Sequence, residues 1–199
     1  MVEPAEENQS ADLIAHLRQV LTAGEVKAFN AAHKTARKGN PQFTLDLAGL
    51  NLSGTDLRRV NLEMANFAEA DLTNVNFARA NLKRSSFEKA KLTKINFAEA
   101  ELKGVNFAGA NLTRINFAGA DLSWSDFRRV TFAGADLSWV NLKGAMLAGV
   151  DFAGTDLIGA DFSVADLTGA KMTGADISGA KRNKFTKGPS AQQVWVITK

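Results

Sequence analysis

Large apolar residues recur at every fifth position from Leu47 to Ile177, without a gap. Two positions before each of them stands a smaller residue, in most repeats Ala, Val or Ile, as at Ala65 and Val75. A period of five matches neither the 3.6-residue period of an α-helix nor the two-residue period of a strand, so no single regular element buries this pattern. The chain therefore has to turn once per repeat, with both apolar positions pointing inward.

Four such repeats make one coil of twenty residues, and stacked coils bury what a single repeat leaves exposed. The span from Leu45 to Ala180 holds 136 residues, or about 6.8 coils. At roughly 4.8 Å per stacked backbone layer, these coils form a rod about 33 Å long. The sequence predicts a solenoid rather than a globule.

Many repeats read Ala-Asp-Leu or Ala-Asn-Leu, as at Ala70-Asp71-Leu72 and Ala110-Asn111-Leu112. This motif, sustained over 27 consecutive slots and about two-thirds of the chain, resembles the pentapeptide repeat proteins. The resemblance implies an all-β solenoid, a right-handed quadrilateral parallel β-helix of about seven coils. The handedness comes from the resemblance, whereas the four-sided coil follows from the period.

Residues 1–44 are predicted to be a disordered start followed by a helical N-terminal cap. We expect disorder over residues 1–9, one helix from Ser10 to Gly24, and a second from Glu25 to about Arg37, because apolar residues fall there at helical spacing. An amphipathic helix pair ahead of a solenoid would cover the open first coil. A partner-binding helix is the alternative.

The repeat spans residues 45–180. Residues 181–199 follow it as a basic tail. Gly188-Pro189 predicts a turn, and the run from Val194 to Ile197 predicts one short strand that contains Trp195. This strand is expected either to cap the last coil or to pair with a second copy in a homodimer.

Phe and Leu alternate at the large apolar positions in the middle of the repeat. In a twenty-residue coil, this alternation puts Phe on one pair of opposite sides and Leu on the other pair. Stacked rings of this kind fill a core and do not indicate a cofactor site. The predicted stacking residues are Phe67, Phe77, Phe87, Phe97, Phe107, Phe117 and Phe127.

The 24 basic and 21 acidic residues are unevenly distributed, with net charges of 0, −2 and +5 on the leader, the repeat and the tail. The chain has no cysteine, so neither disulfides nor thiolate chemistry is available. No apolar run is long enough to span a membrane, and no secretion signal begins the chain. A cytoplasmic protein without a membrane association is the default interpretation.

Nothing in the sequence has the spacing of a catalytic or metal-binding motif. His16 and His33 are expected to be solvated helix residues. Asp136, Asp156 and Asp176 stack in one column, and we interpret them as turn residues rather than as ligands for a cation. The rod's interior is filled, so we predict no cleft, no cofactor, no metal, no small-molecule substrate and no enzymatic activity.

Function is therefore expected on the outer surface. Trp124, Trp139, Arg128 and Arg129 occupy outward positions and are residue types enriched in binding hot spots, so they form the predicted contact patch. A second, basic cluster covers a corner of the first coils and is interpreted either as a binding patch or as solvated surface. Its members are Arg58, Arg59, Arg79, Lys83 and Arg84.

Two functions fit this picture. The first is a scaffold that presents flat walls to an unidentified protein. The alternative, implied by the resemblance, is a DNA mimic that modulates a type II topoisomerase, DNA gyrase or topoisomerase IV, as in quinolone resistance. A 33 Å duplex carries about 19 charges, far more than the net −2 of this rod, which disfavours the alternative. Nucleic-acid binding by the basic tail predicts only weak, salt-sensitive affinity.

Overall fold

A computed structural model describes residues 4–184 and 186–188 of this chain, and the predicted strand from Val194 to Ile197 lies outside them. Two helices, α1 over Pro4–Thr22 and α2 over Val26–Gly39, precede the repeat. The first helix begins at Pro4, so the predicted disorder is wrong for residues 4–9, and Ser10 lies inside the helix. Proline suits a first helical turn because its φ is already helical.

The repeat winds into stacked coils in which one residue of a wall pairs with the residue twenty positions later, in parallel orientation. Asp46 pairs with Asn66 and Asp56 with Asn76, and this register continues to Asp161 with Lys181. We number the coils from residues 45–64, coil 1, to the coil that begins at residue 165, coil 7. Within each coil, successive five-residue sides are walls A to D, so that in coil 1 wall A is residues 45–49 and wall D is residues 60–64.

The walls are built from single bridges and not from extended strands within the described residues. Each bridge is flanked by ladder bonds, as when Leu57 N donates to Asn76 O over 2.9 Å and Asn76 N donates to Thr55 O over 3.1 Å. Most walls end in a tight turn closed by a bond such as Val60 N to Leu57 O, 3.2 Å. These turns take up so much of each repeat that a longer ladder does not fit.

The core consists of the two inward residues of each wall, which are apolar in most walls and Ser or Thr in a few, as at Ser85 and Ser125. The predicted ring stacks are present: Phe67 and Phe87 lie parallel with centroids 4.8 Å apart on wall A, and Phe77 and Phe97 do so at 5.5 Å on wall C. Rings on opposite walls meet edge to face. From Phe132 the stacking moves to wall B, where Phe132 lies parallel to Phe152 at 5.3 Å. The rod therefore keeps a filled interior although the Phe positions change walls.

The outward Asp and Asn residues hold the turns, as their sequence position suggested. In most repeats Oδ1 accepts a hydrogen bond from the backbone N–H two residues later, for example Ala78 N to Asn76 Oδ1 at 3.1 Å. Where amides stack, they also bond to one another, as Asn96 Nδ2 does to Asn76 Oδ1 over 3.2 Å. These residues serve the fold itself.

The two helices pack on coil 1. Leu17, Leu21 and Phe29 are fully buried in the same apolar cluster as the rod's interior. Polar contacts fix the position of α2, because Asn30 Nδ2 donates to Arg59 O over 3.0 Å and Asn30 Oδ1 accepts from Asn61 N over 2.7 Å. Neither α1 nor α2 offers an apolar stretch of the kind that a bilayer span requires.

His33 corrects one expectation from the sequence, because its side chain is fully buried rather than solvated. It lies one helical turn after Phe29 on the face of α2 that packs on the rod, and its ring stacks on Phe29 at 5.4 Å and meets Phe43 at 5.9 Å. His16 is exposed, as expected.

Candidate protein-binding surface

The turn that closes each wall places its last residue at positive φ, a conformation that favours glycine. Gly occupies many of these corner positions, but Trp124 and Trp139 stand there with φ of 62° and 57°. Val164, which is β-branched and therefore strongly disfavoured in this region, has φ of 65°. Bulky side chains thus sit at corners where the backbone would be less strained with glycine.

Each Trp ring lies against a glycine of the next coil. A Cβ built on Gly144 would come within 2.6 Å of Trp124 Cε3, and one built on Gly159 within 2.5 Å of Trp139 Cε3. Only glycine leaves room for a ring this close to the backbone. The two rings are therefore seated on the rod, with their other faces open.

Large exposed apolar side chains are confined to one part of the described rod. Trp139 is 70% exposed, Trp124 53%, Met146 42% and Val164 37%. By the register, Trp124 and Val164 lie at the corner between walls D and A, and Met146, the second residue of wall A in coil 6, lies near that corner. Trp139 lies at the corner between walls C and D. We call these four residues of coils 4 to 6 the apolar corner patch.

The predicted contact patch does not lie on one wall. Arg129 and Trp139 are ten residues apart, which is half a coil, so they stand at diagonally opposite corners. Arg128 is bound to Asp126 by its Nε, at 3.0 Å, and by its Nη2, at 2.6 Å, and this guanidinium lowers the pKa of the Asp126 carboxyl. Arg129 is exposed, with no ion pair to any described residue. Trp124 is the member that shares a wall with both Arg129 and Trp139.

The predicted basic cluster is largely neutralised by acidic neighbours. Arg58 binds Asp56, with 2.6 Å between Nη2 and Oδ2, and Arg79 binds Glu99, with 2.9 Å between Nε and Oε2. Lys83 forms an ion pair with Glu101. Arg59 and Arg84 are the remaining members, so the cluster offers much less free charge than its sequence suggests.

A groove that sequence reasoning missed lies outside the rod. It encloses about 990 Å³ between the start of α2 and wall C of the first coils, and its lining includes Lys27, Arg59 and Glu99. It arises from the way in which α2 docks, and no motif marks it. The prediction of no cleft is therefore wrong at this seam.

The Asp column on wall C is formed as predicted, with Asp136 paired to Asp156 and Asp156 to Asp176. Each carboxylate accepts a backbone N–H two residues later, at 2.9 to 3.0 Å. Among the described residues, no group of three or more His, Cys, Asp or Glu side chains is arranged to hold a metal ion.

A comparison with curated proteins found no match. Among solved structures, the chain is similar to HetL, a pentapeptide repeat protein involved in heterocyst differentiation regulation from the cyanobacterium Nostoc sp. strain PCC 7120. The identity is 26% over 68% of this chain and 82% of HetL, with a TM-score of 0.32. It is also similar to Rfr23 from the cyanobacterium Cyanothece 51142, with 22% identity over 79% and 99% of the two chains and a TM-score of 0.33.

A further similar structure is full-length QnrB1, a plasmid-mediated fluoroquinolone resistance protein, with 21% identity over 70% and 80% of the two chains and a TM-score of 0.33. At these scores none of the three likenesses carries an argument about function. The family models are more informative: a pentapeptide repeat region matches residues 60–137, and pentapeptide repeats in eight copies match residues 145–181. Together they cover more than half of the chain, which therefore belongs to the pentapeptide repeat protein family.

Proposed function

We propose that this chain is a non-catalytic binding rod, right-handed like the family that it resembles, whose partner is a protein that contacts the apolar corner patch. The observation that carries the proposal is that, among the residues the structure describes, large exposed apolar side chains are confined to coils 4 to 6. Isolated exposed apolar residues are ordinary, but a clustered set on an otherwise polar rod is typical of an interaction surface.

The composition of this surface supports a protein partner. Trp, Met and Arg are enriched at the centres of protein interfaces, and Trp124, Met146 and Arg129 border the same wall. A Trp ring seated on glycine is already ordered, so little side-chain entropy remains to be lost on binding. The surface bends around corners, so a partner with a concave face would contact more of it than a flat one.

Backbone strain gives a second argument. A non-glycine residue in the left-handed region costs on the order of 1 kcal/mol or more, and such costs concentrate at functional sites. At the corners of coils 4 to 6, Trp124, Trp139 and Val164 carry this cost while exposing apolar surface to water. Neither the strained backbone nor the exposed apolar surface contributes to the core, because these three side chains lie outside it.

Affinity capture with matched variants tests the proposal. The double variant Trp124→Gly and Trp139→Gly removes both rings and relieves the strain, so the free energy of unfolding should change by less than about 1 kcal/mol. The control is Glu69→Gly with Lys89→Gly, which makes the same backbone change at the corner of wall A in coils 2 and 3.

The immobilised proteins are exposed to a lysate of the source organism, and bound proteins are quantified by mass spectrometry. We expect at least one protein to bind the wild type and the control equally and the Trp variant at least tenfold less. Identical profiles for all three proteins would overturn the proposal.

The DNA-mimic alternative has one observation in its favour, the acidic column of wall C. Its carboxylates are one layer apart, about 4.8 Å, whereas duplex DNA carries one charge per roughly 1.7 Å. A gyrase supercoiling assay with and without a quinolone distinguishes the two functions. Inhibition or drug protection at sub-micromolar protein that survives loss of both Trp rings would replace the corner proposal with the mimic.

A further inference from the structure

Walls B and C, residues 50–59 in coil 1 and their equivalents in the later coils, meet at one edge of the rod. In coils 1 to 4 these two walls carry six cationic side chains and three carboxylates, a net charge of +3. In coils 5 to 7 they carry four carboxylates and one cation, a net charge of −3. We call these two walls together the bipolar face, because its charge changes sign along the rod.

Ion pairs within the rod use all three carboxylates of the first half of the bipolar face. These pairs join Asp56 with Arg58, Asp71 with Lys91 and Glu99 with Arg79. The remaining cations of this half, Arg59, Lys94 and Arg114, are exposed and form no ion pair with any described residue. The positive charge of coils 1 to 4 is therefore available to a partner.

The second half of the bipolar face has the opposite surplus. Asp151 pairs in register with Lys171 of the next coil, so these two charges largely cancel. Asp136, Asp156 and Asp176 form the Asp column, and none of them forms an ion pair with a described residue. Three carboxylates without a cation on coils 5 to 7 thus match three cations without a carboxylate on coils 1 to 4.

The two halves also match in shape. Lys94 and Arg114 stand at the corner that ends wall B in coils 3 and 4. In coils 5 to 7 the same corner is glycine, at Gly134, Gly154 and Gly174, and all three are exposed. A carboxylate of the Asp column follows each of these glycines by two residues. Long cationic side chains on one half therefore correspond to open corners beside carboxylates on the other.

We propose that two copies of this chain associate side by side and antiparallel through the bipolar face, about a two-fold axis that passes between coils 4 and 5. Coil 4 then lies opposite coil 5 of the second copy, and coil 3 lies opposite coil 6. Arg114 pairs with Asp136 of the second copy and Lys94 with Asp156 of the second copy. Because the contact is isologous, each ion pair forms twice.

A second copy fits this face because both rods have the same layer spacing of about 4.8 Å, so successive cations meet successive carboxylates in step. A parallel arrangement would place cations beside cations and carboxylates beside carboxylates, so charge complementarity selects the antiparallel one. The corner between walls D and A, where Trp124 and Val164 stand, is diagonally opposite the edge between walls B and C. The dimer therefore leaves that corner open on both copies and presents it twice.

The mass of the full chain in solution tests the dimer. Exposed ion pairs are individually weak, and at about 1 M salt the Debye length falls to about 3 Å. Sedimentation equilibrium at protein concentrations up to millimolar should therefore show a dimer at low ionic strength and a monomer at high salt. A monomer under all of these conditions would overturn the proposal.

Two charge-reversed variants locate the contact. The cation-reversed variant is Lys94→Glu with Arg114→Glu, and the acid-reversed variant is Asp136→Lys with Asp156→Lys. The chain itself has Glu at other corners with positive φ and Lys at other bridge positions, so these substitutions are compatible with the coil. Each variant alone brings like charges together, and its dimer should be at least tenfold weaker than that of the wild type.

An equimolar mixture of the two variants should form a heterodimer, because every ion pair is then restored with its charges exchanged. The control, Arg84→Glu with Lys103→Glu, makes the same change in net charge on wall D and should dimerise like the wild type. Dimers that survive either reversal, or a mixture that stays monomeric, would contradict the antiparallel contact. Circular dichroism checks that each variant is folded, and if the acid-reversed variant is not, the comparison of the cation-reversed variant with the control decides.

Discussion

The buried imidazole of His33 predicts that acid destabilises the junction between α2 and the rod. The ring is fully buried, and neither Nδ1 nor Nε2 has a hydrogen-bond partner among the described residues. Burial lowers the pKa of His33, and the charge of Arg37 lowers it further, while Glu63 partly opposes both. Arg37 and Glu63 form an ion pair across this junction, with 3.2 Å between Nη1 and Oε2.

The direction in which pH changes the free energy of unfolding follows from proton binding at His33. The unfolded chain binds a proton at His33 below about pH 6.5, whereas the folded chain, with its lowered pKa, binds that proton only at more acidic pH. Stability is therefore intact above the unfolded pKa and falls as the pH drops below it. The free energy of unfolding should decrease between about pH 7.5 and about pH 5, by at most about 2 kcal/mol, which is the decrease for an imidazole that stays neutral over the whole range.

Urea unfolding at these two pH values measures the effect. The variant His33→Phe keeps a ring between Phe29 and Phe43 and should lose the pH dependence, while His16→Gln, at the exposed histidine, should retain it. The reasoning is refuted if the wild type is equally stable at both pH values, or if His33→Phe keeps the full decrease.

Further predictions concern the corners and the turn carboxylates. Gly144 and Gly149 both have a left-handed backbone, but only a Cβ at Gly144 would meet a Trp ring. In urea unfolding, Gly144→Ala should therefore be less stable than Gly149→Ala by about 1 kcal/mol. Equal stability of the two variants would contradict the packing of Trp124 on Gly144. Hydrogen bonds from the Thr73 hydroxyl and N–H, together with Lys91, lower the pKa of Asp71 to about 2. NMR titration of Thr73→Val should therefore show a higher pKa for Asp71. An unchanged pKa would exclude the hydroxyl as a cause of the lowered value.

Much of the fold was predictable because the information is local and repeated. A period of five determines which residues point inward, and a coil of twenty determines which of them stack, so the parallel rings of Phe67 and Phe87 follow from spacing alone. The same register would also have paired Arg79 with Glu99, twenty residues later, and so reduced the predicted basic cluster. The spacing of twenty therefore encodes this ion pair in the sequence.

The junction with the helices was not predictable in the same way. The burial of His33 and the groove beside Arg59 depend on the angle at which α2 docks, and no repeat specifies that angle. Helical periodicity identified the apolar residues Leu17 and Phe29, but a histidine one turn after Phe29 fits an exposed or a buried position equally well. Only the packed structure decides between them.

The corners explain how such a regular rod can be specific. The core residues and the turn carboxylates are fixed by the coil, which leaves two residues of each repeat free to vary. One of these two residues has positive φ, so any residue other than glycine has a conformational cost there. Arg79 and Glu99, at corners of coils 2 and 3, recover part of that cost in an ion pair between layers. Trp124 and Trp139 recover it only partly, by packing on glycines of the next coil, and they remain exposed, as does Val164. Binding to a partner would bury that surface, which is why we place recognition at these corners rather than on the flat walls between them.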